Sequence, residues 1–210
     1  MSRLLLLALA LPTLAAAQER VTSTFMVTEA GREIGKERVT LLTAADSGPV
    51  VRFQLAADRL TGRGMEAVVG RSSDGEFDAL QLELRDSLGT EIVRAGHRGN
   101  RIIVTFSGPT GRRTRELPAS DHMVLLDEDL HALIYVAAAL ATPAGRPLTG
   151  LYVRSGRRVS FTATQRSMGS RGSAVDFTGG LTAFLLLDSA GRLERLELPA
   201  QQVVLSPLPR

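Results

Sequence analysis

The feature that most constrains this chain is a recurring pattern: short runs with apolar side chains on alternate residues, each closed by a turn that contains glycine. A period of two puts those side chains on one face of an extended strand, so the pattern predicts an antiparallel meander. In the first run Val21, Ser23, Phe25 and Val27 share one face, and Thr22, Thr24, Met26 and Thr28 the other. Ala30-Gly31-Arg32 turns the chain back into a strand from Ile34 to Leu42, where Gly35 marks a bulge or a close backbone approach. Further strands are expected at 50–57, 65–71, 77–85, 90–95 and 101–107, and again at 151–154, 157–165, 174–177, 181–188, 192–198 and 203–205. Asp74-Gly75, Leu88-Gly89 and Gly99-Asn100 supply turn chemistry between them.

One segment breaks the pattern. Asp127 is a good helix N-cap, Glu128 and Asp129 place negative charge in a first turn, and Thr142-Pro143 stops the run, so a helix is expected over about 127–141. Leu130, Leu133, Ile134, Ala137 and Ala141 fall on one face, yet Val136, Ala138, Ala139 and Leu140 leave almost no polar surface elsewhere. A helix apolar all round is buried. The expected fold is therefore mainly β, α+β at most: a single strongly curved antiparallel sheet or half-barrel of about ten strands around one apolar helix.

Met1-Ser2-Arg3, the apolar run Leu4 to Leu11 and the small residues Ala15-Ala16-Ala17 follow the order of a cleavable signal peptide, which divides the chain into 1–17 and one β-rich domain over 18–210. The apolar run is far short of the roughly 20 residues that cross a bilayer. With no cysteine, neither disulfides nor a lipid-accepting thiol is available, and burial alone must hold the fold. The expected address is periplasmic or secreted, soluble and not lipid-anchored. A formal charge of +3, aromatics at 4% and no tryptophan make nucleic acid a poor partner.

No arrangement of residues points to catalysis. Gly169-Ser170-Arg171-Gly172-Ser173 has no later histidine, so a loop is favoured over a nucleophile elbow. Gly108-Pro109-Thr110-Gly111 lacks the lysine and helix of a phosphate loop. His122, His131 and Asp127 are weak metal candidates, set against the plainer reading of a capping cluster; they lack a known ligand spacing, and no cofactor is expected. His97, in His97-Arg98-Gly99-Asn100, is expected to sit exposed in a hairpin turn. Arg112, Arg113 and Arg115, with Arg157 and Arg158, read as solvated turns or as sites for anionic groups.

The strand from Leu181 carries apolar residues on both faces: Leu181, Ala183, Leu185 and Leu187 on one, Phe184 and Leu186 on the other. Two readings remain open, a strand covered on both sides or a cleft lined for an apolar ligand. The candidate lining is Leu130, Leu133, Ile134, Ala137, Phe184 and Leu186.

Three stretches carry a resemblance. They are the hairpin Glu29-Ala30-Gly31-Arg32-Glu33-Ile34-Gly35-Lys36-Glu37, the helix opening Leu125-Leu126-Asp127-Glu128-Asp129-Leu130-His131-Ala132-Leu133, and the closing run Leu187 to Pro199. Together they resemble exported bacterial β-rich domains of unknown function, similar in fold to the half-barrel of periplasmic lipoprotein carriers. The resemblance implies a curved sheet closed by helix, and no catalytic residue. The expected function is non-enzymatic: binding or carrying an apolar or amphipathic envelope molecule such as a lipid or lipoprotein. An envelope protein-interaction or scaffold module is the alternative, ahead of a hydrolase or metal enzyme, and partner and ligand identity stay open.

Overall fold

The computed structural model describes residues 19–43, 51–71 and 77–208. The expected signal peptide and the Asp74-Gly75 turn lie outside the described residues.

Among the described residues, fifteen strands form one sheet. In chain order they are β1 (Glu19–Glu29), β2 (Arg32–Thr43), β3 (Val51–Arg59), β4 (Gly64–Arg71), β5 (Phe77–Asp86), β6 (Gly89–Arg98), β7 (Arg101–Gly108) and β8 (Gly111–Pro118). After these come β9 (Met123–Leu126), β10 (Arg146–Tyr152), β11 (Arg158–Ser167), β12 (Ser173–Gly179), β13 (Ala183–Leu187), β14 (Leu193–Leu198) and β15 (Val203–Pro207). One helix, α1 (Leu133–Ala138), lies between β9 and β10. Across the sheet the order runs from β8 down to β1, then β15 down to β9.

The expected turns form as their chemistry dictates. Ala30 and Gly31 both adopt positive φ, 48° and 77°, the left-handed pair that closes a two-residue hairpin between Glu29 and Arg32. At Gly35 both expectations hold. Val27 pairs with Gly35 and Thr28 with Glu33, so Ile34 is the extra residue of a bulge. A Cβ on Gly35 would stand 2.1 Å from the Asp58 carbonyl oxygen across the β2–β3 ladder.

Strand alternation sorts the sheet into two faces. On β4, Met65, Ala67 and Val69 are buried while Glu66 and Val68 are exposed, and the same parity runs through one continuous core. A six-residue helix cannot cover fifteen strands, so the sheet must cover itself. Edge strand β9 packs against β5, and Arg115 of the other edge strand donates to the Ser155 carbonyl in the β10–β11 turn. The curling brings the two ends of the sheet together.

Four expectations need correction. Among the described residues the strands number fifteen, not about ten: thirteen stretches carry the strand pattern in sequence, and β8 and β9 add to them, since three arginines hide the alternation of β8 and the four apolar residues of β9 show none. The sheet is not wholly antiparallel, since β9 and β10 run parallel. Parallel neighbours need a crossover, and residues 127–145 with α1 supply it. The helix spans Leu133–Ala138 and not 127–141, because residues 128–132 are held in turns by the polar groups described below. Finally, Phe184 and Leu186 are only half-buried and stand outside the core, so β13 is covered fully on one face alone.

The segment around α1 is nevertheless as buried as its composition requires. Leu130, Leu133, Val136 and Ala137 have no exposed surface, and each such leucine contributes about 1.5–3 kcal/mol by leaving water.

Candidate functional site

The interior face of β2 carries Gly35, Glu37 and Val39, so alternation forces a carboxylate into the core. On β3 the inward row Phe53, Leu55, Ala57 ends in Arg59, which pairs across the ladder with Gly35. Strand parity thus sets Arg59 diagonally beside Glu37. Its Nη2 donates to Glu37 Oε1 at 2.5 Å and also to the carbonyl of Asp129.

Glu37 is wholly buried and engages the crossover from beneath. Its Oε1 accepts from the His131 amide at 3.2 Å and lies 2.9 Å from His131 Nδ1, which must carry a proton to donate there. Its Oε2 accepts from the Ala132 amide at 2.7 Å. The turn that leads into the crossover helix is therefore held by a strand 94 residues earlier in the chain, not by Asp127, while the amides of Leu133, Ile134 and Tyr135 bond to the carbonyls of Leu130, His131 and Ala132. Burial would push the Glu37 carboxyl up, but the hydrogen bond and charge of His131, and then Arg59, outweigh it and hold it below its ordinary value of 4.5.

A second group of charges lies nearer the surface. Asp127, whose side chain is wholly buried, accepts from the Asp129 amide at 2.9 Å and receives Arg154 through both oxygens, at 2.5 and 2.9 Å. Arg154 reaches on to Asp129 Oδ2 at 2.7 Å, which Arg63 also meets at 3.0 Å. Burial works against charge on both partners. The neighbouring arginines, Arg154 first, still hold the Asp129 carboxyl below its ordinary value, and Asp127 with Asp129 holds the Arg154 guanidinium above its own. Ser155 Oγ donates to Glu128 at 2.6 Å, completing the tie between the crossover and the β10–β11 turn.

The chemistry this arrangement performs is positional. Each carboxylate is engaged by fixed donors, and together these come from β3, the β3–β4 turn, the crossover and the β10–β11 turn. Replacing Arg154 with alanine leaves the buried Asp127 carboxylate with little but the Asp129 amide, and the expected loss is about 1.5–3 kcal/mol. Denaturant unfolding measures it; an unchanged midpoint would mean that water replaces the guanidinium without cost.

A pH dependence follows, with its sign set by the lowered carboxyls. The unfolded chain binds protons more readily than the folded one at Glu37 and Asp129. The stability they contribute is therefore complete above their ordinary values of 4.5 and 3.8, and is lost as pH falls through the lower folded values. Unfolding midpoints taken from neutral pH downward should stay level and then fall below about pH 4.5. Midpoints that hold steady well below pH 3.8 would contradict this.

Two open clefts border the network and the far end of the roll. One, of about 230 Å³, is walled by Arg63 and Arg154 on one side and by Leu84, Leu88 and Pro109 on the other. A second, of about 460 Å³, is lined by Asp121, His122, Thr149, Ser160, Phe161 and Thr162 among others.

The residues singled out from sequence are placed as follows. Leu130, Leu133, Ile134 and Ala137 are packed in the core, whereas Phe184 and Leu186 point from the opposite face of β13, so the six do not line one cavity. His131 and Asp127 enter the two buried groups just described, while His122 lies in the turn before β9 with φ 53°. Among the described residues no group of three or more His, Cys, Asp or Glu is placed to hold a metal ion. Gly108 and Gly111 close a hairpin, Gly169–Arg171 is a short 3-10 turn, and His97 is exposed on β6. Arg112, Arg113 and Arg115 are not in a turn but on β8; Arg157 lies 3.8 Å over the Tyr152 ring, and Arg158 donates to the Pro118 carbonyl. Glu37, Arg59 and Arg154 were missed. The signal for the first two was present, since each is a charged residue on the inward parity of its strand.

No family model matches the chain, and no curated protein does. A solved structure described as a DUF1089 family protein from Pseudomonas aeruginosa aligns over 95% of this chain and 98% of that one, at 13% identity and a TM-score of 0.41. Likeness at that level assigns neither function nor family.

Proposed function

We propose that this chain is an exported, non-enzymatic interaction module of the bacterial envelope, built on a half-barrel scaffold and working through its surface. Export rests on the order of residues in Met1 to Ala17. The observation that carries the module reading is the filled interior: Leu130, Leu133, Val136 and Ala137 occupy the core that a carrier would keep for its cargo. The buried carboxylates and His131 support the same reading, because their hydrogen bonds lock the crossover in place over that core.

Carriage of an apolar molecule would require residues 130–140 to leave the core and the Glu37 hydrogen bonds to break. Crosslinked envelopes of the native host, followed by capture of the protein, test the choice. A stoichiometric protein partner is expected. Native mass spectrometry of the same preparation showing bound lipid and no partner would replace the module with a carrier.

A further inference from the structure

The inference here rests on the module reading and names the surface used. Strand β8 lies at one end of the sheet and is paired on one side alone, with β7. Gly108 and Gly111 flank its two-residue turn, so Gly111, Arg113, Arg115 and Leu117 exchange hydrogen bonds with β7. Arg112, Thr114 and Glu116 therefore aim their backbone N–H and C=O groups off the edge, and all three are exposed. An edge of this kind is a template for one more strand.

We propose that the β8 edge receives an extended acidic segment of a partner protein, paired as an added strand. Three arginines against the single Glu116 make Gly111–Pro118 the cationic rim of the sheet. In the new ladder Arg112, Thr114 and Glu116 take the hydrogen-bonded positions, so Arg113 and Arg115 take the close positions where opposed side chains interact most strongly. Both guanidinium groups lie over the Phe106 ring, at 4.3 and 5.9 Å from its centroid, which holds their stems along the edge. Arg113 keeps 68% of its side chain exposed and, among the described residues, has Glu91, at 3.7 Å, as its one ionic neighbour. Carboxylates at alternate positions of the incoming strand meet this pair, Arg113 first, since Arg115 already donates one N–H to the Ser155 carbonyl. The C-terminal end of the edge is closed, because Arg158 already holds the Pro118 carbonyl, and this limits the added strand to the stretch before it.

Charge selects against a second copy of the chain. Antiparallel self-pairing centred on Thr114 would set Arg113 opposite Arg115 twice at the close positions, against Arg112–Glu116 pairs at the wide ones. Like charges directly opposed are destabilising.

The probe is a peptide of alternating glutamate and valine, with a lysine–valine peptide as control, followed by amide exchange and chemical shifts of the full mature chain. Protection of the Arg112, Thr114 and Glu116 amides by the acidic peptide alone, weakening as salt rises, is expected. Thr114→Pro removes one outward donor and keeps the β7 ladder, so it should retain the unfolding midpoint and weaken binding about tenfold or more. R113E/R115E should reverse the peptide preference. Each of four results would overturn the assignment: no protection, equal protection by both peptides, concentration-dependent dimerisation through β8 without peptide, or binding to anionic phosphatidylglycerol vesicles that Thr114→Pro leaves unchanged. Capture of an envelope partner by Thr114→Pro as well as by the parent would reject β8 and keep the module reading, whereas capture of none by the parent rejects both.

Discussion

Replacing Glu37 with alanine is expected to remove about 3–5 kcal/mol of folding free energy, the cost of taking away one side of a buried ionic group. The loss has three parts. Arg59, with only 9% of its side chain exposed, keeps its charge and loses its carboxylate. The amides of His131 and Ala132 lose their acceptor in a place water does not reach, and the His131 ring loses its fixed orientation. Since domains have only about 5–15 kcal/mol in all, the variant should be marginal at best. Glu37→Gln keeps the shape and one acceptor oxygen, so it should fall between the two. Equilibrium denaturation of the three proteins gives the comparison. A loss within about 1 kcal/mol for the alanine variant would show that the crossover is held by its apolar packing and that the carboxylate is incidental.

Replacing Gly35 with alanine should be of comparable severity, about 3 kcal/mol or more, by a different route. The added Cβ would lie 2.1 Å from the Asp58 carbonyl oxygen and 3.0 Å from the Arg59 Cα, both backbone atoms with no side-chain freedom to yield. The φ of 151° adds strain for any residue with a Cβ. Relief requires β2 and β3 to separate at the point where Arg59 is aimed at Glu37. The variant should therefore also shift the His131 ring resonances. A midpoint close to the parent's would mean that the bulge at Ile34 absorbs the methyl group.

Much of the sheet was legible because its physical cause is local. A period of two, and turn pairs such as Ala30-Gly31 and Gly99-Asn100, depend on residues next to one another, and the strands from Val21 to Ser107 follow them. The half after the crossover was legible for the same reason, apart from β10, which starts at Arg146 where the pattern shows a strand at 151–154 alone. What local pattern could not show is pairing at a distance. Asp127 has the chemistry of a helix cap and does cap a turn, yet the amides of His131 and Ala132 just before the helix belong to Glu37, on a strand that sequence separation hides. The arginines of β8 looked like a turn because charge was weighed above alternation, whereas an edge strand tolerates charge on both faces. The apolar residues of β13 suggested a cleft, but those on its outer face are merely half-covered by the strand's own neighbours.

The strand order holds one more consequence. Strands β1 and β15, which carry the ends of the described chain, are neighbours near the middle of the sheet, with Phe25 beside Pro207. Every other antiparallel contact joins strands adjacent in sequence, so each half can zip from its own hairpins. The β1–β15 seam must instead wait for the last strand to be made, and it closes the longest loop in the molecule. Until then two half-sheets each present a bare central edge to whatever surrounds them. For a chain made N-terminus first, this favours holding the first half apart from its neighbours until the last strand is complete.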